Sequence, residues 1–290
     1  MGAVPVSTFV YLGISLTLCL FLPIAFLIFL GRRMPVRSKI ILTGVITFVV
    51  FVILLERFVH TIVLTPNSSI MNNSVYYVIY GCVMAGLFEC AAKFIGLKVM
   101  VKEPTSPGFA LQFGLGYGAA EALLVGVMPL ASNLASAFHI NKVGFETYLN
   151  EIAAQLAEQG EAEGAINKAM ETYKANLSML YDGNLTCLLG GIERVAAIVL
   201  QIALTVLIFQ ALRQGSKTRD YVFVGIAFIA HAFFDFPAAM YQKQLFSNIV
   251  MIEVVLVIEA VIAGIIAYIF YKKNVEEFGK PINAQSIYNE

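Results

Sequence analysis

Charged residues are scarce in this sequence. Asp, Glu, Lys and Arg together make up 13% of its 290 residues, whereas an average soluble domain carries about 25%. Hydrophobic residues make up 59%, and the mean hydropathy is +0.80. This composition excludes a soluble globular protein and predicts a polytopic protein of the lipid bilayer.

Basic residues are not in excess, because 19 Lys and Arg are balanced by 19 Asp and Glu. The sequence has no basic patch interleaved with aromatic residues, so we expect no nucleic-acid partner. It also has no C-x-x-C motif, and its cysteines lie inside or at the edge of apolar stretches, which argues against a disulfide framework or a zinc knuckle. These cysteines are Cys19, Cys82, Cys90 and Cys187.

Long apolar stretches are abundant. About 20 helical residues cross the hydrocarbon core of a bilayer, and helices are expected because lipid cannot hydrogen-bond the backbone. The first stretch follows no positively charged segment and precedes no small-residue cleavage site, so we interpret it as a retained span and not as a signal peptide. We predict an all-α transmembrane bundle over 1–271 and a cytoplasmic tail over 272–290. The seven predicted spans are Thr8–Leu30, Ile40–Leu64, Val75–Leu97, Phe109–Ala131, Leu185–Leu212, Tyr221–Met240 and Ile249–Tyr271.

Lys and Arg are distributed unequally between the connections. One side carries Arg32, Arg33, Arg37, Lys39, Lys98, Lys102, Arg213, Lys217, Arg219, Lys272, Lys273 and Lys280. The other side carries only Lys142, Lys168, Lys174 and Lys243. The positive-inside rule therefore predicts a cell-membrane protein with its N-terminus outside and its C-terminus in the cytoplasm.

One long connection, 132–184, lies outside on this topology. Apolar residues recur in it at helical spacing on both sides of Gly160 and Gly164. This pattern predicts an extracytoplasmic insertion of two amphipathic helices joined by a break.

Two opposite charges lie in the middle of the third span, in the stretch GLFECAAKFIG. Glu89 and Lys93 are four residues apart, so they share one face of a helix. A charged side chain near the bilayer centre costs about 2.5–3.5 kcal/mol on insertion scales, and such residues usually face the protein interior and mark function. A self-neutralising pair with no further role is the alternative.

Three other spans carry polar residues that would lie at comparable depth in a folded bundle. Glu121 lies near the middle of the fourth span, and His231 lies at the centre of the sixth. Asp235 follows His231 by one helical turn, where its carboxylate can accept a hydrogen bond from the imidazole and orient it. The fifth span contributes Glu193, Arg194 and Gln201.

Such a set of side chains suits hydrolysis. A buried carboxylate takes a proton from water and a neighbouring donor stabilises the oxyanion, roles that fit Glu89 and His231. We expect their polar atoms to lie about 4–7 Å apart, bridged by water. A metal site is the competing interpretation, since glutamates with a His and an Asp can bind a cation. The sequence has no H-E-x-x-H motif and offers one histidine at the cluster, so we predict no metal and no other cofactor.

Two further patterns have structural explanations. Glu56, Arg57 and His60 form a compact charged patch on the second span, which we interpret as self-satisfying. The glycine-rich stretch FGLGYG opens the fourth span with no strand before it. We therefore attribute its glycines to close helix contact and not to a phosphate loop.

Four motifs, in this order, resemble the YhfC family of bacterial membrane peptidases over about 86–237: FECAAKF, GLGYGAAEALLVG, GGIERVAAIVL and HAFFDFP. That family is similar to PrsW and to the CAAX-processing glutamic proteases, which use an E-E-x-x-K/R-like motif and a histidine followed four residues later by Asp or Asn. The resemblance implies that Glu89 activates water, with Lys93 as the basic end of its motif. It makes His231 and Asp235 the histidine–carboxylate pair and Glu121 a polar residue of the cavity.

The chain departs from that pattern at three positions. The second glutamate of the motif falls at Cys90, a histidine of the G-H-G element falls at Tyr117, and another histidine falls near Gln201. Tyr117 and Gln201 can still donate hydrogen bonds. The retained residues form a minimal set for activating water.

We therefore expect a glutamic-type intramembrane peptidase that hydrolyses peptide bonds of membrane-embedded or membrane-adjacent substrates. The expected partners are a membrane peptide or protein substrate and the lipid bilayer. The first alternative is a degenerate, non-catalytic relative that binds helices or peptides as a sensor, scaffold or immunity protein. The second is a proton-coupled transporter, although the paired repeats with broken helices that are common in transporters are not evident.

Overall fold

A computed structural model of the chain describes residues 1–100, 106–181, 185–213 and 217–278. Regular structure in these ranges is helical, with no strand, which confirms the predicted all-α class. Lys102, Lys280 and the tail beyond residue 278 lie outside the described residues. The long helices of the described chain are α1 (Val6–Arg33), α2 (Ser38–Val63), α3 (Ser74–Val99), α4 (Pro107–Val143), α5 (Phe145–Glu158), α6 (Glu163–Ser178), α7 (Leu185–Leu212), α8 (Val222–Gln242) and α9 (Ile249–Phe278).

Seven of these helices are long and apolar enough to cross a membrane, namely α1, α2, α3, α4, α7, α8 and α9. The prediction of about seven spans is therefore confirmed, and the chain is a multi-pass membrane protein. The fourth helix differs from its predicted span, because it continues from Ala131 to Val143. No Gly or Pro interrupts the sequence between Pro129 and Gly144, so nothing local ends the helix where its hydropathy falls.

π-helical segments occur in or at the end of three spans. They are Val49–Glu56 in α2, Gly96–Met100 at the end of α3 and Ala122–Val127 in α4. The first ends on Glu56, and the third begins directly after Glu121. Such segments occur frequently at functional sites, and here two of them border carboxylates inside the spans.

The chain divides into two compact units. Unit 1 comprises Met1–Leu22 and Ala122–Val195, and unit 2 comprises Pro23–Glu121 and Ala196–Glu290. In unit 1, α5 and α6 form a helical hairpin that is broken at Gly160, whose φ of +82° lies in the left-handed region that glycine adopts freely.

The hairpin shares a hydrophobic core with the first turns of α1 and the end of α4. Leu12, Ile140 and Phe145 in this core are at most 2% exposed. The Thr8 hydroxyl donates a hydrogen bond to the Leu180 carbonyl at 2.8 Å, which fixes α1 beside the segment that follows α6. The predicted insertion is thus a packed part of unit 1.

Unit 2 contains a very close contact between α2 and α4. A Cβ at Gly44 would lie 2.2 Å from the Phe113 carbonyl oxygen, and one at Gly116 would lie 2.1 Å from the Ile41 carbonyl oxygen. A Cβ at Gly114 would instead lie 2.7 Å from Ile202 Cα on α7. The glycines of α4 therefore let two neighbouring helices approach its backbone, and they bring the polar faces of α4 and α7 together.

Candidate active site

The charged pair of α3 is buried in unit 2. Lys93 is 0% exposed and Glu89 is 7% exposed. Because they are one helical turn apart, the Lys93 ammonium donates a hydrogen bond to Glu89 Oε2 at 2.8 Å. The same ammonium lies 3.9 Å from the centre of the Tyr117 ring on α4, so a cation–π contact also stabilises its charge.

Gln201 on α7 joins two carboxylates. Its side-chain amide donates to Glu89 Oε2 at 2.8 Å and to Glu121 Oε2 at 2.6 Å. The residue itself is 1% exposed. The side chains of α3, α4 and α7 therefore converge on one buried amide group.

His231 on α8 lies against the other oxygen of Glu89. The distance from His231 Nε2 to Glu89 Oε1 is 3.5 Å, and the distance from the same nitrogen to Asp235 Oδ2 is 3.2 Å. The distance from His231 to Glu89 is shorter than the water-bridged distance of about 4–7 Å that we expect from the sequence, so the two side chains are in direct contact. A nitrogen placed between two carboxylates carries its proton there, so that it can donate a hydrogen bond.

Several buried polar atoms in this group have no hydrogen-bond partner among the described residues. They are Tyr117 Oη, Gln201 Oε1 and His231 Nδ1. A buried polar atom without a partner is costly, and such atoms in native proteins usually bind water or a ligand. These three atoms are therefore suited to a hydrogen-bonding guest such as water or a peptide group.

Two of the predicted site residues belong to unit 1. Glu193 and Arg194 pair with each other in the first half of the chain's fifth span. A Cβ at Gly126 would lie 2.9 Å from Arg194 Cγ, so the arginine packs closely on α4 within unit 1. The contacts of Glu89 described above all come from unit 2.

The charged patch that we predict on α2 contains Glu56 and His60 but not Arg57. Glu56 is 6% exposed, and its Oε1 lies 3.4 Å from His60 Nε2. His60 Nδ1 in turn lies 3.0 Å from the Tyr80 hydroxyl on α3. Arg57 is exposed and is not part of this group. Glu56 and His60 are four residues apart and so share one helix face, but no sequence signal pointed to Tyr80.

A family model described as "YhfC intramembrane metalloprotease" matches residues 18–256 of the chain. The chain belongs to the YhfC family. It is 31% identical to YhfC of Bacillus subtilis (strain 168), described as an uncharacterized membrane protein, over 262 residues that cover 89% of this chain and 93% of that protein. No solved structure matches the chain. The resemblance seen in the four motifs is thus confirmed, and the YhfC family description names a membrane protease.

The YhfC description also implies a metal ion, but the residues present do not fit one. No group of three His, Cys, Asp or Glu side chains in the described part of the chain is placed to hold a metal ion. Glu89 Oε2 already accepts hydrogen bonds from Lys93 and Gln201, and the buried ammonium repels a second cation. A catalytic zinc site needs three protein ligands, and the described residues around Glu89 are not placed to supply them.

Proposed function

We propose that this YhfC-family protein is a glutamic-type intramembrane peptidase, in which Glu89 activates water for the hydrolysis of a peptide bond. The observation that carries the proposal is the environment of the two Glu89 oxygens. Oε2 is fixed by Lys93 and Gln201, while Oε1 lies 3.5 Å from His231 Nε2. One buried carboxylate is thus oriented by donors on one oxygen, and its other oxygen faces a histidine that can donate to the substrate. A general base needs a fixed orientation, because it must lie within hydrogen-bond reach of the proton that it takes.

In the proposed reaction, water attacks the carbonyl carbon of the scissile peptide bond while Glu89 takes one of its protons. The carbonyl oxygen becomes an oxyanion, which the imidazole of His231 stabilises by donating a hydrogen bond. Glu89 then gives its proton to the leaving nitrogen as the C–N bond breaks, and the products are a carboxylic acid and an amine. Asp235, 3.2 Å from His231, stabilises the charge of a protonated imidazole, and Lys93 stabilises the negative charge of Glu89.

Of the three residues that depart from the family pattern, Gln201 and Tyr117 support the proposed mechanism and Cys90 does not. Gln201 donates directly to Glu89, so a hydrogen-bond donor remains where a histidine is expected. The Tyr117 hydroxyl is buried and has no partner among the described residues, which makes it a donor for substrate or water. Cys90, in contrast, supplies no carboxylate. This loss favours the alternative of a non-catalytic protein that binds membrane helices or peptides.

An assay of peptide hydrolysis distinguishes the peptidase from the non-catalytic binding protein. We expect the purified protein in lipid nanodiscs to cleave members of a library of single-span model peptides into two fragments whose masses sum to the substrate plus one water. Cleavage should persist in the presence of a divalent-metal chelator. Peptide binding without any cleavage would support the non-catalytic function, and cleavage that stops with the chelator and returns with zinc would contradict the glutamic mechanism.

We also propose the orientation that the positive-inside rule predicts. Reporter fusions should give a cytoplasmic signal at Met34 and an extracytoplasmic signal at Ser69 and Gly160. These positions follow α1, precede α3 and separate α5 from α6. A cytoplasmic signal at Gly160 would overturn the orientation.

A further inference from the structure

A cavity in unit 2 leads to Asp235. It has a volume of about 220 Å³ and is lined by α2, α3 and α8, whereas a single water needs about 10–15 Å³ of such space. At the ends of these helices the cavity is lined by Leu64, Tyr77 and Gln242. Further along α8, towards the middle of the span, it is lined by Asp235. Because Asp235 contacts His231 at 3.2 Å, the cavity connects the helix ends with the candidate active site.

The lining of this cavity is acidic. It contains the carboxylates of Glu56 and Asp235 and no Lys or Arg. Asp235 has His231 as its partner, but Glu56 accepts no hydrogen bond from any described residue, and its Oε1 lies 3.4 Å from His60 Nε2. Glu56 is also 94% buried, since its exposed fraction is 6%. A cation or strong hydrogen-bond donors stabilise the charge of a carboxylate that is taken out of water, so Glu56 is suited to a cationic guest.

Aromatic rings add to the affinity of the cavity for a cation. Tyr77 and Tyr80 both line it. The face of Tyr77 already carries the Lys243 ammonium at 4.3 Å, and that ammonium also donates to the Met71 carbonyl at 2.9 Å. Tyr77 therefore already binds one ammonium group of the chain itself by a cation–π contact, the kind of contact that a basic guest would use.

We propose that this cavity is the subsite for a Lys or Arg side chain of the peptide substrate, with Glu56 as the counter-ion. The role of the bound peptide as a substrate rests on the peptidase function proposed above, whereas the binding itself does not. Such a subsite selects a substrate class, namely membrane peptides with a basic residue close to the scissile bond. The basic side chain would enter between the C-terminal ends of α2 and α8 and the N-terminal end of α3. The charged group would lie between Glu56 and the two tyrosine rings.

Direct binding tests the subsite without turnover. The chain has no tryptophan, so Leu64→Trp places a single fluorescent reporter in the cavity, in a Glu89→Gln background that cannot activate water. The probe is an N-acetylated, C-amidated oligoleucine peptide with one Lys, and the matched probe has Gln in its place. We expect the Lys peptide to change the fluorescence at a concentration at least about tenfold lower, since a charge-assisted contact is lost in the Gln peptide.

Two protein variants and a control locate the effect. Glu56→Gln should remove the preference for the Lys peptide, and Glu253→Gln should keep it, because Glu253 is another buried glutamate, 4% exposed, that does not line the cavity. Gly81→Leu should weaken binding of the Lys peptide, because Gly81 lines the cavity and a Cβ there meets no atom within 4 Å. The added side chain would therefore fill space that the guest needs.

Equal affinity for the two peptides, a Lys preference that survives Glu56→Gln, or Lys-peptide binding that is as tight in Gly81→Leu as without it would overturn the subsite. A Gln peptide with a free N-terminal amine that binds as tightly as the Lys peptide would assign the cation to a chain terminus and overturn the side-chain assignment. If the Lys preference is found and no peptide is cleaved by the wild type, the subsite stands and the peptidase function fails.

Discussion

Replacing Lys93 by Met should destabilise the folded protein by about 3–5 kcal/mol, because removing one partner of a buried ion pair leaves the other charge uncompensated. Lys93 is 0% exposed and donates to Glu89 Oε2 at 2.8 Å. Met fills a similar volume but cannot donate. The remaining donor on that oxygen, Gln201, is neutral and already shared with Glu121. The measurement is the free energy of unfolding in mixed micelles by denaturant titration.

Two comparisons separate charge from packing. Lys98→Met removes an exposed lysine from the same helix and should change the free energy of unfolding by less than about 0.5 kcal/mol. The double variant Lys93→Met with Glu89→Gln should be more stable than Lys93→Met alone, since it leaves no unpaired buried charge. If Lys93→Met stays within about 1 kcal/mol of the wild type, the pair is not the buried ion pair described here.

The local part of the candidate site could be predicted from the sequence. Glu89 with Lys93, and His231 with Asp235, are pairs four residues apart, and an α-helix brings such pairs onto one face whatever surrounds it. The spans were equally predictable, because a lipid core imposes both length and hydropathy on each helix. For these features, position along the chain alone determines the geometry.

The contacts between helices could not be predicted in the same way. Gln201 bridges Glu89 and Glu121, which are 112 and 80 residues away in the chain, and that bridge depends on how closely α4 approaches its neighbours at glycine. The direct contact of His231 with Glu89 depends on the packing of α8 on α3, where a Cβ at Gly86 would lie 3.1 Å from the Phe228 carbonyl oxygen. Hydropathy and spacing carry no information on such rotations.

The insertion illustrates a second limit. The break at Gly160 was visible because a glycine cluster interrupts two amphipathic patterns. The continuation of α4 to Val143 was not visible from hydropathy, because helix propensity and the absence of breakers, and not apolar content, decide where a helix ends. The cavity beside Tyr80 was likewise hidden, since an empty space between helices has no sequence pattern.

Peptide hydrolysis by Glu89→Gln tests whether Glu89 is the general base. Gln is nearly isosteric and can still accept hydrogen bonds from Lys93 and Gln201 through its amide oxygen, but it cannot take a proton from water. General-base catalysis contributes about 10²–10⁴-fold to the rate.

The measurement is the rate at which the wild type, Glu89→Gln and Glu253→Gln form fragments from one cleaved peptide in the same nanodiscs. Size-exclusion chromatography first checks that each protein elutes as a folded protein. We expect a rate about 10²–10⁴-fold lower for Glu89→Gln than for the wild type, and a rate close to that of the wild type for Glu253→Gln. A folded Glu89→Gln protein that cleaves the peptide at the wild-type rate would show that Glu89 is not the general base.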